Sequence, residues 1–107
     1  MTSHTLTSDC TTCHDHYSFD LLTGIDELVT TYRFRRPQYL LNLVNEIGAV
    51  EATRQLVAER QLSDGFTDLA LLGLLDRSLE ASVLNFTGPC PIFDQVVLAS
   101  ARRKLGR

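Results

Sequence analysis

Leu21-Leu22-Thr23-Gly24-Ile25-Asp26-Glu27-Leu28-Val29-Thr30-Thr31-Tyr32 is the stretch that decides the fold. Its apolar residues Leu21, Leu22, Ile25, Leu28, Val29 and Tyr32 recur at i, i+1, i+4, i+7, i+8 and i+11, which is one face of an α-helix. Gly24 weakens that helix by about 1 kcal/mol relative to alanine if it stands mid-helix. Arg33-Phe34-Arg35-Arg36 closes the segment, and basic side chains suit a helix C-terminus, where the carbonyl ends of the peptide dipoles gather.

The same period continues downstream. Pro37 fits the first turn of a second helix, where its missing N–H costs nothing, with Leu40, Leu43, Val44 and Ile47 as the buried stripe and Gly48 as the stop. Val50, Thr53, Leu56 and Val57 give the inner face of a third, with Glu51, Arg54, Glu59 and Arg60 outside. Ser63-Asp64-Gly65 reads as a turn and cap, followed by a short fourth helix over 66–72 that ends near Gly73. Asp76 or Ser78 caps a fifth that turns Leu79, Val83 and Phe86 inward. Thr87-Gly88-Pro89-Cys90-Pro91 is a loop, because one glycine and two prolines break any regular element. Asp94 caps a last helix carrying Val97, Leu98, Ala101 and Leu105. No run of strict alternation is long enough for a strand. The expectation is an all-α fold, a compact bundle of five to six short helices over 18–107, preceded by a flexible, polar, Cys/His-bearing arm over 1–17.

Composition bounds the function classes. At 107 residues the chain is one domain, and 44% hydrophobic with 21% charged excludes a disordered polyelectrolyte. No apolar run reaches the ~20 residues of a membrane span. The first 20 residues lack the basic start and apolar stretch of a signal peptide, so a cytoplasmic protein with reduced thiols is expected. The net charge of −3 hides a segregation. Residues 1–32 carry five acids and no Lys or Arg, whereas Arg102-Arg103-Lys104-Leu105-Gly106-Arg107 has four cations and no acid.

Gly48-Ala49-Val50-Glu51-Ala52, Ser63-Asp64-Gly65-Phe66-Thr67-Asp68-Leu69 and Leu75-Asp76-Arg77-Ser78-Leu79-Glu80-Ala81-Ser82-Val83-Leu84 occur in that order. Together with Phe93-Asp94-Gln95 and Ala101-Arg102-Arg103-Lys104-Leu105 they resemble a widespread, uncharacterised small bacterial helical domain. That family reads G-x-V-x-A, then S-D-G-F-T-x-L-W-E-x-G-R-L-D-L-[ST]-V-E-A-x-V-L, then a proline loop and A-R-x-R-L. The resemblance covers residues 37–105 and implies an all-α domain without an assigned activity. The departures matter more. Ala70 and Leu71 stand where the family has Trp and Glu, and Leu74 where it has Arg, so Leu69-Ala70-Leu71-Leu72-Gly73-Leu74-Leu75 is apolar all round. Such a helix has to be covered on every side. Core burial is the plain reading. The functional one is that Leu71 and Leu74, three residues apart, form with Ala70 a contact to a partner protein or a second copy.

The chemical motifs are thin. Cys10-Thr11-Thr12-Cys13-His14 matches C-x-x-C-H, but haem attachment needs export and a second axial ligand, and Met1 is the one methionine. Zinc is the better use of the pair: Cys10 and Cys13 have knuckle spacing, His14 or His16 supplies a third ligand, and His4 or Cys90 a fourth. A thioredoxin-like role lacks the strand that should precede the pair. Cys90 lies between two prolines, far in sequence from every histidine, and reads as an inert thiol. No G-x-S-x-G, P-loop or H-E-x-x-H is present, so an enzyme is not expected. The stretch around Ser63-Asp64-Gly65 mimics helix-turn-helix, yet the second helix offers Asp68 and no Arg, Lys, Asn or Gln to base edges.

The reading is a small cytoplasmic helical interaction or regulatory domain that binds another protein or itself. The alternatives are nucleic-acid association through Arg33, Arg35, Arg36, Arg102, Arg103 and Lys104, and metal binding through Cys10, Cys13, His14 and His16.

Overall fold

A computed structural model describes the backbone of residues 2–107 and the side chains of residues 11–107. Among the described residues the fold is all-α, with helices α1 (Thr2–Thr31), α2 (Gln38–Ile47), α3 (Ala49–Ala58), α4 (Asp64–Leu71), α5 (Leu79–Asn85) and α6 (Gln95–Leu105) and no strand. A single 3₁₀ turn, Leu75–Arg77, joins α4 to α5. No described helix is long and apolar enough to cross a membrane.

The expected arm is corrected over residues 11–17, which belong to α1. Cys13 and Tyr17 are buried, and with half-buried Leu21 and buried Ile25 and Leu28 they extend the apolar stripe toward the N-terminus at helical spacing. The expected arm's first ten residues have side chains outside the described residues. α1 is 30 residues long and matches in scale the 49 Å long axis of the molecule.

The helix ends follow from local chemistry. Ser63 Oγ accepts from Phe66 N–H at 3.0 Å, Ser78 Oγ from Ala81 N–H at 3.1 Å, and Asp94 Oδ1 from Val97 N–H at 3.0 Å, each filling a donor that the first helical turn leaves unpaired. Ser78, not Asp76, is thus the cap of α5. α4 stops at Gly73, whose φ of +73° favours glycine, and Leu74 N–H then bonds back to Leu69 O at 2.8 Å. α6 ends the same way at Gly106, with Arg107 N–H on Arg102 O at 2.8 Å.

α3 is the central helix. It packs against α1, α2, α5 and α6, and Val57 with Thr53 is fully buried. Val50, Val57, Val83, Ile92, Phe93, Val97 and Ala101 join Cys13 and Tyr17 in one core. Tyr17, Phe86 and Phe93 form a triangle of edge-to-face rings with centroids 5.1–6.3 Å apart. The carbonyls left open at the end of α3 are taken by α6: Ser100 Oγ donates to Val57 O at 2.6 Å and Lys104 Nζ to Leu56 O at 3.4 Å.

α2 differs from the rest. Its sequence is strongly one-sided, with Leu40, Leu43, Val44 and Ile47 together, yet none of its residues is buried. It packs on α3 and is flanked by Arg33, a non-glycine at φ +57°, and Gly48 at φ +88°.

Candidate functional site

The apolar run at 69–75 divides physically. Leu69 faces inward and is buried, whereas Ala70, Leu71 and Leu72 are exposed, Leu71 at 81% and Leu72 at 57%. Helix geometry ends at Leu71, the chain reverses through Gly73, and Leu74 comes back half-buried. The helical i,i+3 relation expected between Leu71 and Leu74 therefore does not exist. The exposed apolar edge is Ala70-Leu71-Leu72, and Leu72 is the member that spacing missed.

Beside α4 lies a cavity of about 540 Å³, walled by α1, the 33–37 connection, α2, α4 and the start of α5. α1 supplies Leu21, Ile25 and Leu28, α4 supplies Phe66 and Leu69, and α2 supplies Leu40 and the largely exposed Tyr39. Its volume falls in the range of small-molecule sites, roughly 300–1,000 Å³. No sequence motif marks it, because its walls come from segments far apart in the chain.

Its charged lining side chains are mostly paired. Arg35 lies 3.6 Å from Asp68. Arg77 donates to the Glu27 carboxylate, and its guanidinium stands over the Tyr32 ring at 5.2 Å. The hydrogen bond to Glu27 holds the Arg77 pKa above its ordinary value. Glu80 pairs with Lys104 at 3.4 Å, with side chains 7% and 2% exposed. Glu80 is thus a buried charge, and Lys104 is withdrawn from the proposed phosphate-binding cluster. Burial of its ammonium and its bond to Glu80 leave it unable to reach a nucleic-acid backbone. Arg33, Arg35, Arg36, Arg102 and Arg103 stay exposed, Arg103 donating to Ser100 Oγ at 3.2 Å.

The second buried polar group is the Tyr17 hydroxyl. It donates to Thr53 Oγ1 at 3.1 Å and stands 2.7 Å from Ser82 Oγ, where either oxygen can donate. Burial raises its pKa above the ordinary 10.0, the hydrogen bonds it shares with Ser82 and Thr53 oppose that rise, and the nearby Glu80 charge adds to it. Arg54, expected on the outside, reaches Ile92 O through Nε at 2.9 Å and Nη2 at 2.6 Å, and Glu51 at 3.2 Å. It ties the proline loop to α3.

The proposed metal ligands do not assemble among the described residues, where no three His, Cys, Asp or Glu side chains gather. Cys13 is a free, buried core thiol, His14 is exposed, and His16 is exposed 3.6 Å from Asp20. The side chain of Cys10 lies outside the described residues. Cys90 is disulfide-bonded rather than a free thiol, which removes one support for a cytoplasmic location. Set against protein-family models, curated proteins and solved structures, the chain matches none.

Proposed function

We propose that the chain is a small helical interaction module that binds another protein through the edge Ala70-Leu71-Leu72. The observation that carries this reading is the exposure of two adjacent leucines, 81% and 57%, at the end of α4. Single exposed leucines are ordinary on a protein surface, and it is contiguous exposed apolar area, as adjacent Leu71 and Leu72 begin to form, that characterises contact surfaces. Their burial in a complex recovers the transfer free energy that the isolated chain forgoes, about 1.5–3 kcal/mol for each leucine side chain.

The test compares wild type with a Leu71→Glu, Leu72→Glu double variant. Both positions are exposed, so stability stays within about 0.5 kcal/mol for each change. Wild type retains a partner from its host lysate, or self-associates by light scattering, and the variant loses it. Identical eluates and identical masses for the two proteins overturn the reading.

A further inference from the structure

The cavity beside α4 supports a second activity that does not rest on the protein-binding edge. Six charged side chains line it: Arg35, Arg36, Asp64, Asp68, Arg77 and Glu80. Arg35 answers Asp68, Arg77 answers Glu27, and Glu80 answers Lys104. Asp64 sits in the first turn of α4, where the peptide dipoles favour an anion. Arg36 is left: among the described residues it has no ion pair or hydrogen bond. The cavity thus offers an apolar interior, a cation without an ion-pair partner in Arg36, and one carboxylate, Asp64, held only by its place at the start of α4.

We propose that this cavity binds a small amphiphile with a single negative charge, an alkyl carboxylate, with its chain between Leu21, Leu28, Leu40 and Leu69 and its head on Arg36. The planar guanidinium meets a carboxylate through two parallel N–H···O bonds, a match that an alcohol or an amine does not offer. The methylene chain leaves water for leucine walls. Leu40, half-buried on a helix with no buried residue, gains cover when the cavity fills.

The experiment is calorimetric titration of the full chain with decanoate, decanol and decylamine, each below its aggregation concentration. Wild type binds one decanoate per chain, about tenfold tighter than decanol, as one charge-assisted hydrogen-bonded pair provides. Decylamine does not bind. Arg36→Gln brings decanoate down to the level of decanol, Arg36→Lys keeps most of the preference, and Leu40→Gln weakens decanoate and decanol alike. Circular dichroism confirms that the variants keep the wild-type fold. Absence of decanoate binding, equal decanoate affinity in wild type and Arg36→Gln, or an unchanged affinity in Leu40→Gln overturns the proposal. Binding of an acidic amphipathic helical peptide without decanoate binding also overturns it and assigns the cavity to a protein partner. Loss of decanoate binding together with an intact effect of Leu71→Glu, Leu72→Glu leaves the partner edge standing.

Discussion

The ammonium of Lys104, in the last turn of α6, lies 3.4 Å from the carboxylate of Glu80, in the first turn of α5, and both side chains are withdrawn from solvent. Each charge has given up most of its hydration and relies on the other. Removing one partner strands the other, so Glu80→Gln or Lys104→Met alone is expected to cost about 3–5 kcal/mol. Replacing both, as Glu80→Leu with Lys104→Met, returns most of that loss, because a matched apolar pair has no desolvation to recover. Urea denaturation midpoints of the three variants check the expectation.

Tyr17→Phe leaves Thr53 Oγ1 and Ser82 Oγ without their shared partner inside the protein. A loss of about 1–2 kcal/mol follows at neutral pH.

The same tyrosine sets an alkaline limit. Its folded pKa lies above 10.0, so below pH 10 both states keep the proton and the wild-type advantage is whole. Above that the unfolded chain sheds the proton first, and stability falls as the pH climbs toward the folded value. The stability gap between wild type and Tyr17→Phe is expected to narrow above pH 10 in urea titrations.

Gly88 is a close approach in the proline loop. A methyl group there would run into the Phe86 ring and stand 3.0 Å from Cys13 Sγ. Gly88→Ala therefore disturbs the aromatic triangle and is expected to destabilise by about 1–3 kcal/mol, read as a lowered Tm.

Arg54→Lys tests the anchoring of that loop. An ammonium cannot reproduce the two guanidinium bonds to Ile92 O, and the loss is about 1–2 kcal/mol. Limited proteolysis is expected to cut the variant faster within residues 87–94.

Helix periodicity and capping chemistry made most of the architecture legible: the stripes from Leu21 to Leu105, the caps Ser63, Ser78 and Asp94, and the breaks at Gly73 and in the proline loop. The N-terminal extension of α1 was illegible because Thr, Ser and His masked a stripe whose inner members, Cys13 and Tyr17, are only weakly apolar. Sequence groups Lys104 with the surface cations of the C-terminal cluster and gives no sign of its pairing with Glu80, since a buried ion pair carries no local signature and its partners lie 24 positions apart. Leu71 was picked out by its apolar neighbours, and Leu74 failed beside it because the glycine turn cancels helical spacing. The cavity was invisible for the same reason as the ion pair: tertiary packing alone brings its walls together.

α2 has consequences for how the molecule breathes. A helix with no fully buried side chain, seated on α3 through half-buried residues such as Val44, is held less firmly than the helices around the core. Its amides are expected to exchange with deuterium through local opening, orders of magnitude sooner than those around Val57 and Val83, which wait for global unfolding. The protein thus carries a stable nucleus and one more shallowly seated helix, and whatever fills the space beneath that helix should be read first as slowed exchange over residues 38–47.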